Sequence, residues 1–266
     1  MLIRRLKFEE IALLKEFAPP DWHFDLAEFI KMHFYEPYFI PLVAEISGNI
    51  AGVGNGISSG ASGWIGNIIV KEEFRRQGIG TSITKEVIRQ LKELKCRSFL
   101  LIATHDGIPV YRKLGFRQVA NYSFYPLERQ LVTKAHPCIR PVTKEEYDRL
   151  LQLDFEATAE RRNSFLHQFL PGAMVFFDEK ISGFYLPSLG HGYIMAKSVE
   201  AGTALLSYKI SKTTGILVIP EQNFEAISYL EKLGYREKNI APRMIYGTDI
   251  SWNPAMIYSR AAGYCG

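Results

Sequence analysis

The stretch Val70-Lys-Glu-Glu-Phe-Arg-Arg-Gln-Gly-Ile-Gly-Thr81 decides how the first half of the chain folds. The apolar run Trp64–Val70 leads into it, and apolar residues at three-to-four spacing follow it, which predicts a strand, a loop and an amphipathic helix. Such a loop places several backbone N–H groups at a helix N-terminus, where the helix dipole also favours negative charge. Gly78 and Gly80 let the backbone approach a ligand closely. The pattern therefore predicts a cradle for a pyrophosphate.

Two common phosphate-binding loops do not match this stretch. A Walker loop needs Gly-Lys-Ser/Thr after four spacer residues, and a dinucleotide fingerprint needs a third glycine where Ile83 stands. The spacing of Val70, four residues and then Arg-x-x-Gly-x-Gly instead resembles the acetyl-CoA loop of the GNAT N-acetyltransferase superfamily. A second segment, Tyr111-Arg-Lys-Leu-Gly-Phe116, is similar to the Tyr-x-x-x-Gly-Phe segment of that family and stands in the same order.

The resemblance implies which residues bind the co-substrate. Main-chain groups of Ile68, Ile69 and Val70 would pair with the amide-rich pantetheine arm of acetyl-CoA, as a sheet edge pairs with a strand. The loop would hold the pyrophosphate, mostly through backbone N–H groups, and its arginines would add positive charge. The loop residues concerned are Arg75, Arg76, Gln77, Gly78, Ile79, Gly80 and Thr81.

Transfer of an acetyl group from a thioester to an amine makes three chemical demands. A base takes a proton from the amine, fixed N–H donors polarise the carbonyl oxygen, and an acid protonates the leaving thiolate. Tyr111 stands where members of the family often place the acid, and a phenol is protonated at neutral pH. Thr104 stands where many members carry an Asn that orders the cofactor arm, so we expect the turn there to differ in shape.

The sequence does not identify the base. No glutamate lies in Trp64–Val70, and deprotonation through ordered water would leave no residue to find. Aromatic and acidic residues in Pro19–Asp25 and Tyr35–Phe39 suit a cationic amine, although the same residues could brace the first helices against the sheet. The candidate bases are Asp21, His23, Asp25, Glu45, His105 and Asp106.

Two pairs of similar segments indicate that the chain contains two related halves. Ile3-Arg-Arg-Leu-Lys-Phe-Glu-Glu-Ile11 is similar to Ile139-Arg-Pro-Val-Thr-Lys-Glu-Glu-Tyr147. Tyr111-Arg-Lys-Leu-Gly-Phe-Arg117 is similar to Leu230-Glu-Lys-Leu-Gly-Tyr-Arg236. Because both matches occur in the same order, tandem copies of one fold explain them better than chance.

The predicted domains are residues 1–130 and 138–266, joined through the polar stretch Arg129–Pro137. At the place of the phosphate loop, the second half has Lys197-Ser-Val-Glu-Ala-Gly-Thr203, without a glycine pair or an arginine. The second domain is therefore predicted to be a degenerate GNAT-like domain that does not bind acetyl-CoA productively.

The order of apolar and polar segments predicts an α/β (α+β) fold, in which each tandem GNAT-like domain has a mixed, mostly antiparallel sheet flanked by helices. A helix is expected over Phe8–Phe17, and a hairpin is expected to turn at Ser47-Gly48-Asn49. Two separate strands, Phe116–Ala120 and Tyr122–Pro126, are expected to end the first half.

Composition excludes several classes of protein. A hydrophobic fraction of 47% in 266 residues excludes a disordered chain, and a net charge of +4 is too small to require nucleic acid. The first ten residues lack the apolar core of a signal peptide, and runs such as Phe99–Ala103 are too short to span a bilayer. Three scattered cysteines show no metal or disulfide spacing. We therefore expect a cytoplasmic protein without a metal, a nucleic-acid partner or a membrane partner.

The sequence thus predicts an acetyl-CoA-dependent N-acetyltransferase that acts on a primary amine of a small molecule or peptide, by direct attack in a ternary complex. The second half would complete the substrate cleft or provide a homodimer surface. An alternative is a non-catalytic acyl-CoA-binding or sensing protein, which would keep the loop and lose turnover. A further alternative is an aminoacyl or long-acyl transferase, but an aminoacyl-tRNA user should carry a basic stripe, and the charges here are interspersed.

Overall fold

The structure is a computed structural model that describes residues 1–19, 22, 24–132 and 136–266. Its contacts divide the chain into two compact units. The first unit holds Met1–Arg117 together with two later pieces, Ile245–Thr248 and Gly263–Cys265, and the second unit holds the remainder. The units therefore run differently along the chain from the predicted domains 1–130 and 138–266, which remain predictions.

The first unit is built on a sheet in the order β1-β2-β3-β4-β5. Neighbouring strands are antiparallel from β1 to β4, and β4 and β5 are parallel. Beside β5 runs the later piece of this unit, where the Thr248 N–H donates to the Arg97 carbonyl at 3.0 Å. The strands are β1 (Leu2–Arg5), β2 (Phe39–Ile46), β3 (Asn49–Ser59), β4 (Ser62–Val70) and β5 (Ser98–Ile102).

Helices cover both faces of this sheet. The longest of them packs closely on one face because β3 and β4 carry glycines there: a Cβ at Gly54, Gly56 or Gly63 would come within 2.9 Å of side chains of Ile83, Val87 or Leu91. The helices of the first unit are α1 (Leu26–His33), α2 (Ile79–Glu93) and α3 (Ile108–Lys113), with 3-10 turns at Phe8–Leu14, Glu72–Phe74 and His105–Gly107.

The second unit repeats the mixture of strands and helices. Its strands are β7 (Ile139–Pro141), β8 (Met174–Asp178), β9 (Lys180–Leu186), β10 (Tyr193–Ala196), β11 (Gly215–Pro220) and β13 (Ile257–Ser259), together with most of β6 (Arg117–Leu127) and β12 (Asn239–Gly247). Its helices are α4 (Tyr147–Thr158), α5 (Asn163–Leu166), α6 (Val199–Lys212) and α7 (Phe224–Lys232). Strands β13-β10-β9-β8-β7 form an antiparallel sheet, and β6 pairs antiparallel with β11. Its core includes Leu205, Leu217 and Leu230.

The structure confirms the predicted fold class, and it corrects two of the expected elements. The segment predicted as a helix from Phe8 to Phe17 is a 3-10 helix over Phe8–Leu14. The two strands expected between Phe116 and Pro126 are one strand, β6, because the Asn121 amide at the expected break bonds Glu221 of the same unit at 2.9 Å and the backbone stays extended.

The internal repeat is visible in atomic detail. The guanidinium of Arg4 donates two hydrogen bonds to the carboxylate of Glu10, at 2.8 and 2.7 Å, and that of Arg140 donates two to Glu146, at 2.9 and 2.6 Å. In each half the same carboxylate also accepts a backbone N–H three residues earlier, at 2.9 Å. Each half therefore opens with the same strand-to-helix connection.

Candidate active site

Strands β4 and β5 separate soon after they begin. Their ladder runs from Ser62 opposite Ser98 to Trp64 opposite Leu100, whereas β4 continues to Val70. On its other side, β4 remains paired with β3 up to Val70, which lies opposite Gly52. The later part of β4 therefore presents a strand edge toward the gap, to which an extended, amide-rich chain could add.

Ile68, Ile69 and Val70 all lie in this later part of β4. Their side chains belong to the packing of the sheet: Ile69 is buried, and the Ile68 side chain covers Gly54, where a Cβ would be 2.5 Å from it. The predicted binding role of these three residues, which concerns their backbone, remains a prediction.

The loop between β4 and α2 is held in a tight turn by two residues with left-handed backbone conformation. After the 3-10 turn at Glu72–Phe74, Arg76 has φ 61° and Gly78 has φ 78°. Successive N–H groups in such a right- and left-handed mixture form a concave anion-binding nest. A side chain at Gly78 would meet nothing within 4 Å, so the backbone conformation, and not a lack of space, explains a glycine there.

Helix α2 begins without any side-chain cap. Its N-cap is Gly78, and the first intrahelical bond runs from the Ser82 N–H to the Gly78 carbonyl at 3.0 Å. The N–H groups of Ile79, Gly80 and Thr81 precede this bond and have no acceptor within the helix. They form a cluster of donors at the positive end of the helix dipole, which suits a pyrophosphate.

The charged side chains of the loop are exposed, and one of them is engaged. Arg75, Arg76 and Gln77 all face solvent. Arg75 turns back so that its Nε donates to the Val70 carbonyl at 3.2 Å, which ties the loop to the end of β4. The structure thus gives Arg75 a bracing contact that the sequence did not indicate.

Tyr111 and Thr104 meet around a glycine. A Cβ at Gly107 would lie 2.8 Å from the Tyr111 ring and 3.3 Å from the Thr104 hydroxyl, so the absence of a side chain there lets all three pack together. The Tyr111 ring also makes an edge contact with Phe116, with 5.8 Å between ring centroids. Burial raises the pKa of Tyr111 to about 12, so its phenol keeps its proton throughout the neutral range.

Each described candidate base either already forms a hydrogen bond within the protein or is exposed to solvent. Glu45 accepts from Arg4 at 2.7 Å, and Asp25 caps α1 by accepting the Glu28 N–H at 2.9 Å. His105 and Asp106 are exposed on their 3-10 turn. Asp21 and His23 lie outside the described residues.

The sequence analysis missed two neighbouring asparagines, one on β3 and one on β4. Asn67 of β4 donates through Nδ2 to Oδ1 of Asn55 on β3 at 2.8 Å. A pair of amides in adjacent apolar strands is unusual, and asparagine is a poor strand former. That composition is the one signal in the sequence that could have drawn attention to them.

The corresponding places in the second half are built differently. Helix α6 is capped by Ser198, whose hydroxyl accepts the Ala201 N–H at 3.2 Å. Leu230 of α7, at the place of Tyr111, is fully buried in the core. Neither an open helix start nor a phenol is present at these two positions.

Neither metal-ligating clusters nor membrane-spanning helices occur among the described residues. Over the described ranges, no group of three or more His, Cys, Asp or Glu side chains is arranged to hold a metal ion. Within the same ranges, none of the helices combines the length and apolar character that a membrane crossing requires.

Family models match both halves of the chain. A model of the acetyltransferase (GNAT) family matches residues 8–116, and a model of an acetyltransferase (GNAT) domain matches residues 150–259. The chain therefore belongs to the GNAT acetyltransferase family and contains two GNAT domains.

Relatives agree with this assignment. The uncharacterized N-acetyltransferase YitH of Bacillus subtilis is 23% identical over 68% of this chain and 69% of its own length. N-alpha-acetyltransferase 30 of Dictyostelium discoideum is 40% identical over 60 residues, which are 21% of this chain and 32% of that protein. A crystal structure from Pyrococcus horikoshii, provisionally assigned as an acetyltransferase, has a TM-score of 0.84 at 20% identity, covering 100% of this chain and 95% of that one. This structural likeness shows a shared fold over the whole chain.

Proposed function

We propose that the first GNAT domain is an acetyl-CoA-dependent N-acetyltransferase that acetylates a primary amine. The observation that carries the proposal is the start of α2, where Gly78 leaves three backbone N–H groups without a side-chain cap beside the open edge of β4. The two features match the two chemical parts of the co-substrate, because an anion suits the helix start and an amide-rich arm suits the strand edge.

In this proposal the residues from Arg75 to Thr81 hold the pyrophosphate, mainly through backbone N–H groups, and Ile68–Val70 hold the pantetheine arm. Gly80 fits this role, since a Cβ there would touch only Ile68 and Val70 at ordinary distances of 3.6 and 3.8 Å and nothing in the fold requires its absence. Thr104 lies beside Tyr111, where its hydroxyl can orient the arm.

The chemical step needs only one side chain of the protein, which acts as the acid. The amine nitrogen attacks the thioester carbon, the C–N bond forms, and the C–S bond breaks. Tyr111 gives its proton to the departing sulfur, and a β4 backbone N–H polarises the carbonyl oxygen. Water takes the proton that the amine loses, and the Tyr111 phenolate regains a proton from solvent. Water is proposed as the base because the described carboxylates are engaged or lie on exposed turns.

The second domain is proposed to be a degenerate copy that does not bind acetyl-CoA, because Ser198 caps its corresponding helix and Leu230 stands at the position of Tyr111. It would complete the acceptor cleft or support a homodimer. The acceptor is proposed to be a small-molecule or peptide amine, and the compartment the cytoplasm.

Calorimetric titration with acetyl-CoA tests the proposal. The wild type should bind, and Gly78→Val combined with Gly80→Val should weaken binding at least 100-fold, because β-branched side chains block the turn and its donors. Gly48→Val is the matched control, since Gly48 also has φ +80 with open space around it and lies in the distant β2–β3 hairpin. Absence of binding by the wild type would overturn the proposal.

Turnover separates the enzyme from a non-catalytic binder of acyl-CoA. Release of free thiol would be followed with methylamine, spermidine and the tripeptide Ser-Gly-Gly as acceptors. Amine-dependent release supports the enzyme. Tight binding of acetyl-CoA without release for a wide range of amines would favour a sensing protein.

A further inference from the structure

The amide pair Asn55–Asn67 lies inside the sheet of the first unit without an evident structural need. Asn55 is fully buried, and Asn67 satisfies one end of its amide with a 2.8 Å hydrogen bond. Within the described part of the chain, the Asn55 Nδ2 at the other end is buried and has no hydrogen-bond partner. Leaving such a group unsatisfied costs about 1–3 kcal/mol, so the pair calls for an explanation beyond packing.

The pair lies on the face of the sheet opposite α2. Gly54 and Gly56 of β3 both face α2, where their Cβ atoms would touch Ile83 and Val87. Because side chains alternate along a strand, Asn55 between them points to the other face. Asn67 reaches the same face, since its side chain bonds that of Asn55.

The backbone of β4 aims Asn67 in a way that an ordinary strand would not. The β3–β4 register shifts between Val53, opposite Ile69, and Asn55, opposite Gly66, so Asn67 and Ile68 form a bulge. Asn67 itself has φ 54°, a conformation that asparagine tolerates better than most residues. The bulge lies past the end of the β4–β5 ladder, and Asn67 immediately precedes the proposed pantetheine edge Ile68–Val70.

A small aromatic cluster lies beside Gly66 on this face. Tyr264, from the late piece of the first unit, occupies the space beside Gly66, where a Cβ would come within 2.5 Å of it. Its ring packs on Phe29 of α1 at 4.2 Å and on Phe24 at 5.6 Å between centroids. An amide beside aromatic faces provides both polar and cation–π contacts for an amine.

We propose that Asn67 binds the acceptor amine through its side-chain Oδ1 and that Asn55 is a positioning residue that fixes the Asn67 amide. The inference rests on the proposed acetyltransferase function and adds an acceptor contact on the face opposite α2. Because the Asn67 Nδ2 already donates to Asn55, the Asn67 Oδ1 is the atom that would accept an amine N–H. The nitrogen lone pair then remains for the thioester carbon. An amide does not take up the proton, in agreement with water as the base.

Three variants test the role of Asn67. Asn67→Gly removes the amide and keeps the left-handed backbone, and Ser47→Gly makes the same kind of backbone change at φ 51 in the remote hairpin. Asn67→Asp keeps an acceptor atom, and it can accept from the Asn55 Nδ2 once the Asn55 amide turns over, since Oδ1 faces residue 67 in the wild type. Asn67→Gly should lower kcat/KM for methylamine, spermidine and Ser-Gly-Gly at least tenfold, with the Kd for acetyl-CoA within twofold of wild type. Asn67→Asp should recover activity and add an acidic limb to the pH profile. Ser47→Gly should match the wild type.

The outcomes are separable from those of the proposed function. Unchanged kcat/KM in Asn67→Gly, or a parallel loss of acetyl-CoA binding, would overturn the role of Asn67 while leaving the enzyme in place. If the wild type binds acetyl-CoA but acetylates none of the three amines, the ¹⁵N side-chain signals of Asn55 and Asn67 in the CoA-bound protein decide. Chemical-shift changes on addition of spermidine, without such changes in sodium chloride of equal ionic strength, support the acceptor site. Chemical shifts that stay the same overturn it.

Discussion

Helices α2 and α6 occupy corresponding places in the two halves, yet they begin in opposite ways. Helix α2 starts at Gly78 with its first N–H groups uncapped, and α6 starts at Ser198, whose hydroxyl satisfies the Ala201 N–H. A serine at the cap supplies an internal acceptor for one N–H group, whereas a glycine leaves the first N–H groups for an external anion. The cap residue is therefore a clear difference between these two helix starts.

The ends of α3 and α7 show the same divergence on an unchanged frame. Both helices end at a left-handed glycine, Gly115 with φ 90° and Gly234 with φ 87°, and each following aromatic N–H donates five residues back at 3.0 Å. The residue that accepts this bond is Tyr111 in the first half and Leu230 in the second. The backbone motif has been kept while the side chain with chemical capacity is present in one half only.

The largest effect is expected in the interior of the second unit, where polar groups serve folding. Asp154 accepts from Arg162 at 2.5 and 3.0 Å and from the Tyr193 hydroxyl at 2.9 Å, all of them buried. Asp154→Ala leaves a buried guanidinium without its carboxylate, which typically costs about 3–5 kcal/mol of unfolding free energy. Urea unfolding measures the loss.

Asp148→Ala, an exposed aspartate on the same helix α4, is the control for that variant and should change the unfolding free energy by well under about 1 kcal/mol. Equal destabilisation by both variants would show that the buried Asp154–Arg162 pair has no special role in stability. The polar groups in the interior of the second unit could then not be said to serve folding.

The next effect concerns the tyrosine that the second half lacks. Tyr111→Phe should lower kcat about 100-fold, the lower range for removal of a general acid, and leave the acetyl-CoA Kd unchanged. Because burial raises the pKa of Tyr111 to about 12, the phenol stays protonated up to pH 10, and the variant should keep the shape of the wild-type pH profile between pH 6 and 10. Thiol release measures both.

Tyr229→Phe provides the matched control in the second half, one residue before the position that corresponds to Tyr111. It should leave kcat unchanged. If Tyr111→Phe has the kcat of the wild type, Tyr111 serves only in packing. The difference between Tyr111 and Leu230 would then be a difference in packing alone.

A smaller effect is expected from the cap of α6. Ser198→Ala removes the acceptor for the Ala201 N–H and should cost about 1 kcal/mol of unfolding free energy. The acetyl-CoA Kd should stay the same, because the first domain supplies the proposed site. Ser207→Ala, in the middle of α6, is the control that removes a hydroxyl without removing a cap. A weaker acetyl-CoA affinity in Ser198→Ala would contradict the separation of roles between the two helix starts.

Local patterns account for what the sequence predicted well. The loop Arg75–Thr81 and the two copies of the strand-to-helix connection depend on residues close together in the chain, so spacing and glycine placement were enough. The bond from Arg75 to Val70, the Asn55–Asn67 pair and the packing of Tyr264 beside Gly66 depend on contacts between distant segments or on a bulge in the register. A pattern of residue types does not encode those distances, which is why the proposed acceptor contact at Asn67 rests on the structure alone.

The smallest effect compares the duplicated ion pairs, which should respond alike although their halves differ elsewhere. Hydrogen bonding from Arg4 lowers the pKa of Glu10 to about 2, and hydrogen bonding from Arg140 lowers that of Glu146 to about 2. A carboxyl with a depressed folded-state pKa adds stability above its unfolded pKa of about 4.3, and that stability disappears as the pH falls toward 2. Because both pairs are partly exposed, Glu10→Gln and Glu146→Gln should each cost only about 0.5 kcal/mol at pH 7 and progressively less between pH 4 and 2. Urea unfolding at pH 7 and pH 3 measures the change, and a cost confined to one of the two variants would show that the repeated geometry has lost its energetic equivalence.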